Sequence, residues 1–126
     1  MQPFIADLER LVEQNDSFRQ VVFTAPHSQL VAMLLAPGED IGIETHDVDQ
    51  LFLVIEGIAE AEVGGDLYEL EEDGLLVVPA GTRHNILNVG DDELRLLTVY
   101  SPPEHAPGTI HRTKADAMNA EHLVPA

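Results

Sequence analysis

The stretch Gln50-Leu51-Phe52-Leu53-Val54-Ile55, closed by Glu56-Gly57, decides how the chain folds. On an extended backbone its side chains alternate, with Gln50, Phe52 and Val54 on one face and Leu51, Leu53 and Ile55 on the other. Both faces are apolar. That suits a strand whose inner face lines a barrel and whose outer face is covered by another segment, sheet or subunit. Working outward, short β-type runs recur at residues 19–24, 29–35, 59–63, 66–70, 75–78, 85–88 and 93–100. Turn residues separate them: Pro37-Gly38, Gly64-Gly65, Asp73-Gly74, Pro79-Ala80-Gly81 and Gly90-Asp91-Asp92. Gly64-Gly65 is the clearest hairpin signal, since a type I′ turn needs both central residues at positive φ. Short strands at this spacing, with no helix between them, exclude a parallel α/β sheet and predict an all-β antiparallel sandwich or barrel.

Ahead of the strands, Phe4, Leu8, Leu11 and Val12 recur at helical spacing and predict a short amphipathic helix over about residues 4–14. Behind them, Pro102, Pro103, Pro107 and Gly108 predict an irregular C-terminal arm over 101–126, whose end, about 113–122, either forms one polar helical piece or frays. At 126 residues the chain reads as a single domain over 1–126, with its barrel core over about 19–100.

Acidic residues number 23 against 6 lysines and arginines, a formal charge of −17. Such a field opposes nucleic acid and anionic membranes as partners. Cysteine is absent, which excludes disulfides, thiolate catalysis and cysteine-held metals. No apolar run has the length of a signal or a membrane span, so a cytoplasmic location is expected. A small core under a self-repelling surface makes a homodimer the expected assembly.

Glu44 and His46 stand two apart and leave an extended backbone on one face. His84 follows the turn at 79–81, and an antiparallel fold can bring it opposite them. In these residues the sequence resembles the cupins, a family of double-stranded β-helix (jelly-roll) proteins. The first cupin motif, with histidine, histidine and glutamate between two glycines, reads here as Gly38, Glu44, His46, Gln50 and Gly57 with its spacing intact. The second reads Pro79, Gly81, His84 and Asn88, with Asp73 at the position of its first glycine. The resemblance implies a divalent transition metal held by Glu44, His46, Gln50 and His84. A carboxylate has replaced the first histidine and an amide the usual carboxylate, so the donor count and the ligand charge are conserved. Two imidazoles with two oxygens suit Mn²⁺ or Fe²⁺ slightly better than Zn²⁺, Ni²⁺ or Co²⁺. A three-ligand site without Gln50 and a site without metal are the alternatives.

Phe52, Val54, Val77, Ile86 and Leu97 are expected to line an apolar cavity; Arg95, a charge amid leucines, is expected to snorkel at an interface or edge, with the anchoring of an anion as the alternative. Tyr100 is a candidate proton donor. The arm is expected either to strap the barrel or to fold across its mouth, bringing Glu104 or His105 to the metal as acid or base. The expected partner is a small molecule. The functions in contention are a metal-dependent enzyme (dioxygenase-like, or a Lewis-acid isomerase or lyase), a non-catalytic metal- or ligand-binding module, and a ligand-free barrel.

Overall fold

The computed structural model describes residues 1–123, and the side chains of residues 1–120. Nine strands form two antiparallel sheets among the described residues. In chain order they are β1 (Arg19–Thr24), β2 (Gln29–Leu35), β3 (Asp49–Glu56), β4 (Ala59–Val63), β5 (Asp66–Leu70), β6 (Leu75–Val78), β7 (His84–Asn88), β8 (Leu94–Ser101) and β9 (Ile110–His111). The larger sheet runs β6-β3-β8-β2-β1-β9 and the smaller runs β5-β4-β7. The alternation read for the central run holds: Gln50, Phe52 and Val54 are buried, and Leu51, Leu53 and Ile55 are partly covered.

Val31, Met33, Leu35, Phe52, Val54 and Leu96 of the large sheet pack against Ala59, Ala61 and Ile86 of the small one. Each fully buried Leu, Phe or Met side chain contributes about 1.5–3 kcal/mol. The alanines of β4 let the sheets approach. The sheets are not closed into a continuous barrel. They are linked at one end by two isolated bridges, Asp40 with Leu87 and Glu44 with His84. The second bridge exchanges both backbone hydrogen bonds at 2.9 Å and sets Glu44 beside His84. Gly64 (φ 59°) and Gly65 (φ 90°) turn β4 into β5, as the hairpin signal predicted.

The N-terminal helix α1 is shorter than expected, Leu8–Glu13, because the Asp7 carboxylate accepts from the Arg10 N–H and caps it there. Phe4 lies outside the helix and stacks on Phe23, with centroids 5.3 Å apart. The C-terminal arm is irregular only as far as Thr109. It then adds β9 to the edge of β1 and forms helix α2, Lys114–Leu123. Lys114 binds Asp40, which ties α2 to the linker between β2 and β3.

Two of the residues expected to line the cavity face outward. Val77 pairs with Leu51 and is 52% exposed, while its neighbour Val78 faces inward opposite Gln50. Leu97 pairs with Leu53 on the outer face of β8. Arg95 belongs to that outer face too, at an interface as expected and not as an inward anchor. Its Nη1 donates to the carbonyl of Val12 (2.8 Å), which also accepts from the Asn15 N–H (3.2 Å), and to that of Asn15 (2.9 Å), just past the C-terminus of α1. Its Nε lies 3.4 Å from Glu56, and its Nη2 lies 3.8 Å from Glu93. Arg95 is a clamp for α1. Among the described residues no helix is long and apolar enough to cross a membrane.

Candidate metal centre

The four residues of the two motifs converge at one end of the core. Gln50 is the second residue of β3 and His84 opens β7, and both are buried at 2% and 4% exposure. Glu44 and His46 sit on the bridged strand-like segment ahead of β3, with side chains about 15% and 14% exposed. The donors meet in two pairs. Glu44 Oε2 contacts His46 Nε2, and Gln50 Oε1 lies 3.0 Å from His84 Nε2.

The hydrogen bonds around the second pair fix its chemistry. The Thr98 hydroxyl donates to the Leu51 carbonyl (2.8 Å), so its oxygen accepts from Gln50 Nε2 (3.0 Å). That orients the amide with Oε1 toward His84. The Thr82 carbonyl lies 2.9 Å from His84 Nδ1 and can only accept, so Nδ1 carries the proton. A neutral His84 therefore turns the lone pair of Nε2 toward a second acceptor. Either a second proton on the ring or a cation shared by Nε2 and Oε1 relieves this clash of acceptors.

The first pair has a parallel layout. His46 Nδ1 lies 3.4 Å from Glu104 Oε1, and Nε2 faces Glu44. The hydrogen bond from Glu44 raises the His46 pKa above its ordinary value, against burial and with help from the charges of Glu44 and Glu104. Burial raises the pKa of Glu44, but the hydrogen bond and charge of His46, together with Arg19 and His84, outweigh it and hold the carboxyl low. Both histidines thus present Nε2 inward while an oxygen holds Nδ1, the arrangement that orients metal-binding imidazoles elsewhere.

This donor set fits a transition-metal ion. An imidazole nitrogen about 2.1 Å from an ion puts its ring centre roughly 3.2 Å away, so two rings on one ion have centres ~4.5–6.4 Å apart. The centres of His46 and His84 are 5.7 Å apart. As the side chains stand, each pair is closed on itself, and among the described residues no group of three or more His, Cys, Asp or Glu side chains is placed so that it could hold a metal ion. For Glu44, His46, Gln50 and His84 to share one ion, Glu44 would have to part from His46.

The surroundings are more polar than the apolar lining expected. Tyr100 is buried opposite Gln50, and burial pushes its phenol above the ordinary value. Its ring meets His46 and His105 edge-on, with centroids 5.8 and 5.1 Å away. The arm crosses this end of the core. Glu104 reaches His46, and His105 Nε2 lies 3.4 Å from the Tyr100 hydroxyl. Burial lowers the His105 pKa to about 4, assisted by the charge of Arg19.

Two residues that the sequence reading passed over build this end of the site. Gln29 is buried and holds the arm: its Nε2 donates to the His105 carbonyl (2.7 Å), and its Oε1 accepts from the N–H groups of Glu104 and His105. Arg19 is 2% exposed, with Nη2 3.6 Å from Glu44. Strand parity signals Arg19, which stands two residues before buried Val21 and pairs with buried Met33. Arg83 stays at the surface near Glu62 (3.9 Å), and Asp49 accepts from the Ala80 N–H (2.9 Å).

Two facing antiparallel sheets with histidines on a bridged segment and at the start of β7 define a cupin-type double-stranded β-helix. The chain belongs to the cupin family: the Cupin domain model matches residues 31–100. It is 41% identical over 126 residues to the uncharacterized protein YrkC of Bacillus subtilis, covering 94% of this chain and 68% of that one. The polyketide synthase CurC of Streptomyces cyaneus is 34% identical over 88 residues, 68% of this chain and 57% of that protein. The crystal structure of BH2720 from Bacillus halodurans superposes with a TM-score of 0.91 at 38% identity, covering 94% of this chain and 95% of the other.

Proposed function

We propose that this cupin binds a divalent transition-metal ion through Glu44, His46, Gln50 and His84, and acts on a small molecule held beneath the C-terminal arm. The observation that carries the reading is the meeting of His84 Nε2 and Gln50 Oε1 at 3.0 Å, both oriented as acceptors by Thr82 and Thr98. A cation accounts for that contact and for the inward aim of both imidazoles. When bound, the ion supplies Lewis acidity toward an oxygen of the substrate.

Among the chain's own residues, His105 and Tyr100 are placed at the site for chemistry of the isomerase or lyase kind. His105, with its pKa pushed down to about 4, is a neutral imidazole at pH 7 and only a weak base, so its Nε2 can accept a hydrogen bond. The Tyr100 hydroxyl beside it holds its own proton more firmly than an ordinary phenol and can donate a hydrogen bond. Glu104 keeps His46 oriented, and Gln29 fastens the backbone that carries Glu104 and His105.

The test has two parts. Protein purified without an affinity tag is expected to hold about one equivalent of a transition metal, falling below about 0.1 in Glu44→Ala and His84→Ala. Loaded protein in D₂O is then expected to exchange the acidic C–H protons of chelating hydroxy ketones or oxo acids, and His105→Gln is expected to slow this with metal content unchanged. A wild-type protein with no metal sinks the reading. Metal without exchange across the panel sinks its catalytic half.

A further inference from the structure

The segment joining β8 to β9 crosses the candidate metal centre without burying a side chain of its own. Both of its ends are fixed to the large sheet. Ser101 pairs with Asp49 and Ile110 with Gln20, and the Val21 N–H donates to the Thr109 carbonyl at 2.8 Å. Between these anchors no residue from 102 to 109 is buried, and Ala106, Pro107 and Gly108 are exposed. The core below does not need the segment, since Val31, Met33, Phe52 and Val54 pack between the two sheets.

Polar contacts hold the segment down. Gln29 Nε2 donates to the His105 carbonyl (2.7 Å), and Gln29 Oε1 accepts from the N–H groups of His105 (3.0 Å) and Glu104 (3.3 Å). An amide suits this task because it donates and accepts at once, so one side chain grips both faces of a peptide group. The side chains of the gripped residues reach the site: His105 Nε2 lies 3.4 Å from the Tyr100 hydroxyl, and Glu104 Oε1 lies 3.4 Å from His46 Nδ1. Gln29, Tyr100 and Gln50 are register partners across β2, β8 and β3, which puts the grip and a candidate ligand in one row. Segments held by hydrogen bonds and few buried apolar groups open at a fraction of the cost of unfolding, because water replaces the bonds they lose. Active-site lids are drawn from such segments.

We infer that residues 102–108 form a lid over the candidate metal centre, with the Gln29 amide as its latch. Closed, the lid covers Tyr100, which is 1% exposed, and sets Glu104 on His46. Open, it uncovers both residues to a small molecule while the sheets stay intact. The inference deepens the proposed function by naming its gate, and rests on that reading only for what passes through.

The experiment follows amide hydrogen exchange by NMR in full-length, metal-free protein. The N–H groups of Glu104 and His105 report the latch directly. Both are expected to be protected, yet to exchange about 100-fold or more faster than the amides of Leu96 and Thr98 in β8, at a rate that low urea leaves unchanged. Gln29→Leu keeps the bulk and removes the latch. It is expected to speed exchange at both positions by at least about tenfold, with the β8 resonances still in place. In the same variant, hydroxyl-radical labelling of Tyr100 is expected to rise at least about threefold relative to Tyr68, which is 51% exposed. The inference is overturned if the two amides exchange only together with β8 and with its urea dependence, as in a fixed strap, or if they show no protection. It is equally overturned if Gln29→Leu leaves either their exchange or the labelling of Tyr100 unchanged. The wild-type exchange decides the matter even if the variant fails to fold. A protein that holds no metal yet shows this local opening upholds the lid and refutes the metal reading.

Discussion

Replacing Gln50 with leucine distinguishes a metal ligand from a structural amide. Gln50 is 2% exposed, donates to Thr98 and sets its carbonyl oxygen against His84 Nε2. In metal-free protein the substitution removes one neutral hydrogen bond, worth about 1 kcal/mol. It also removes an acceptor that faces another acceptor and buries an apolar side chain in exchange, so the net change is within about 1 kcal/mol. A 126-residue domain has an unfolding entropy of about 0.26 kcal/mol/K, which makes 1 kcal/mol equal to about 4 °C in Tm. Metal at a hundred times its Kd stabilises the wild type by ~2.7 kcal/mol, or about 10 °C. If losing one donor of four weakens binding by about tenfold or more, the metal-induced shift falls to about 5 °C or less at the same concentration. Differential scanning calorimetry on chelator-treated protein, with and without Mn²⁺ or Zn²⁺, reads both numbers. A metal-free Gln50→Leu protein that melts more than about 10 °C below wild type, yet responds fully to metal, would show that Gln50 is structural and refute the reasoning.

Arg95→Met removes two charge-assisted hydrogen bonds from the end of α1 and is expected to destabilise the fold by about 2–4 kcal/mol. Hydrogen exchange should quicken over residues 8–15 while metal content stays unchanged, since the clamp is on the outer face. Gly57 has φ 101°, and a Cβ there would meet the Glu93 carbonyl oxygen at 2.9 Å and Leu94 Cα at 3.1 Å. Gly57→Ala should therefore cost about 2–4 kcal/mol in chemical denaturation, and an unchanged midpoint would refute the strain argument. His105 binds its proton less tightly folded than unfolded, so its contribution to stability is full above pH 6.5 and is lost as pH falls toward about 4. Urea unfolding across that window should show wild type losing on the order of 2 kcal/mol more than His105→Gln; parallel pH profiles would contradict the buried, neutral imidazole.

The sheets were legible because apolar alternation and turn glycines coincide along most of the chain. Each strand expected at 19–100 formed within a residue or two of its expected ends. The errors were errors of face. Leu94, Leu96, Thr98 and Tyr100 point inward, yet Leu97 between them is apolar as well, so composition alone does not reveal the parity of β8. The same ambiguity left an inward Arg95 open as an alternative, and its odd register with Leu94 and Leu96 puts it outside, where the end of α1 supplies its acceptors. Arg19 was legible by alternation with Val21 and was overshadowed by the more conspicuous arginine amid leucines. The polarity of the site was not legible, because it arises from contacts between elements far apart in the chain. Gln29 is joined to the backbone of residues 104 and 105, and His46 to Glu104. Neither the length of the irregular arm nor its prolines specify where it crosses. The start of β9 depended on an unpaired edge at β1, a property of the assembled sheet.

The most direct test of the central claim is a crystal structure of untagged protein with diffraction recorded on both sides of the absorption edge of the metal found in it. The account predicts one anomalous peak about 2.0–2.3 Å from Glu44, His46 Nε2, Gln50 Oε1 and His84 Nε2, with the Glu44–His46 contact opened around it. A fully metallated crystal whose peak lies elsewhere, with Glu44 still closed on His46 and Gln50 on His84, would contradict it.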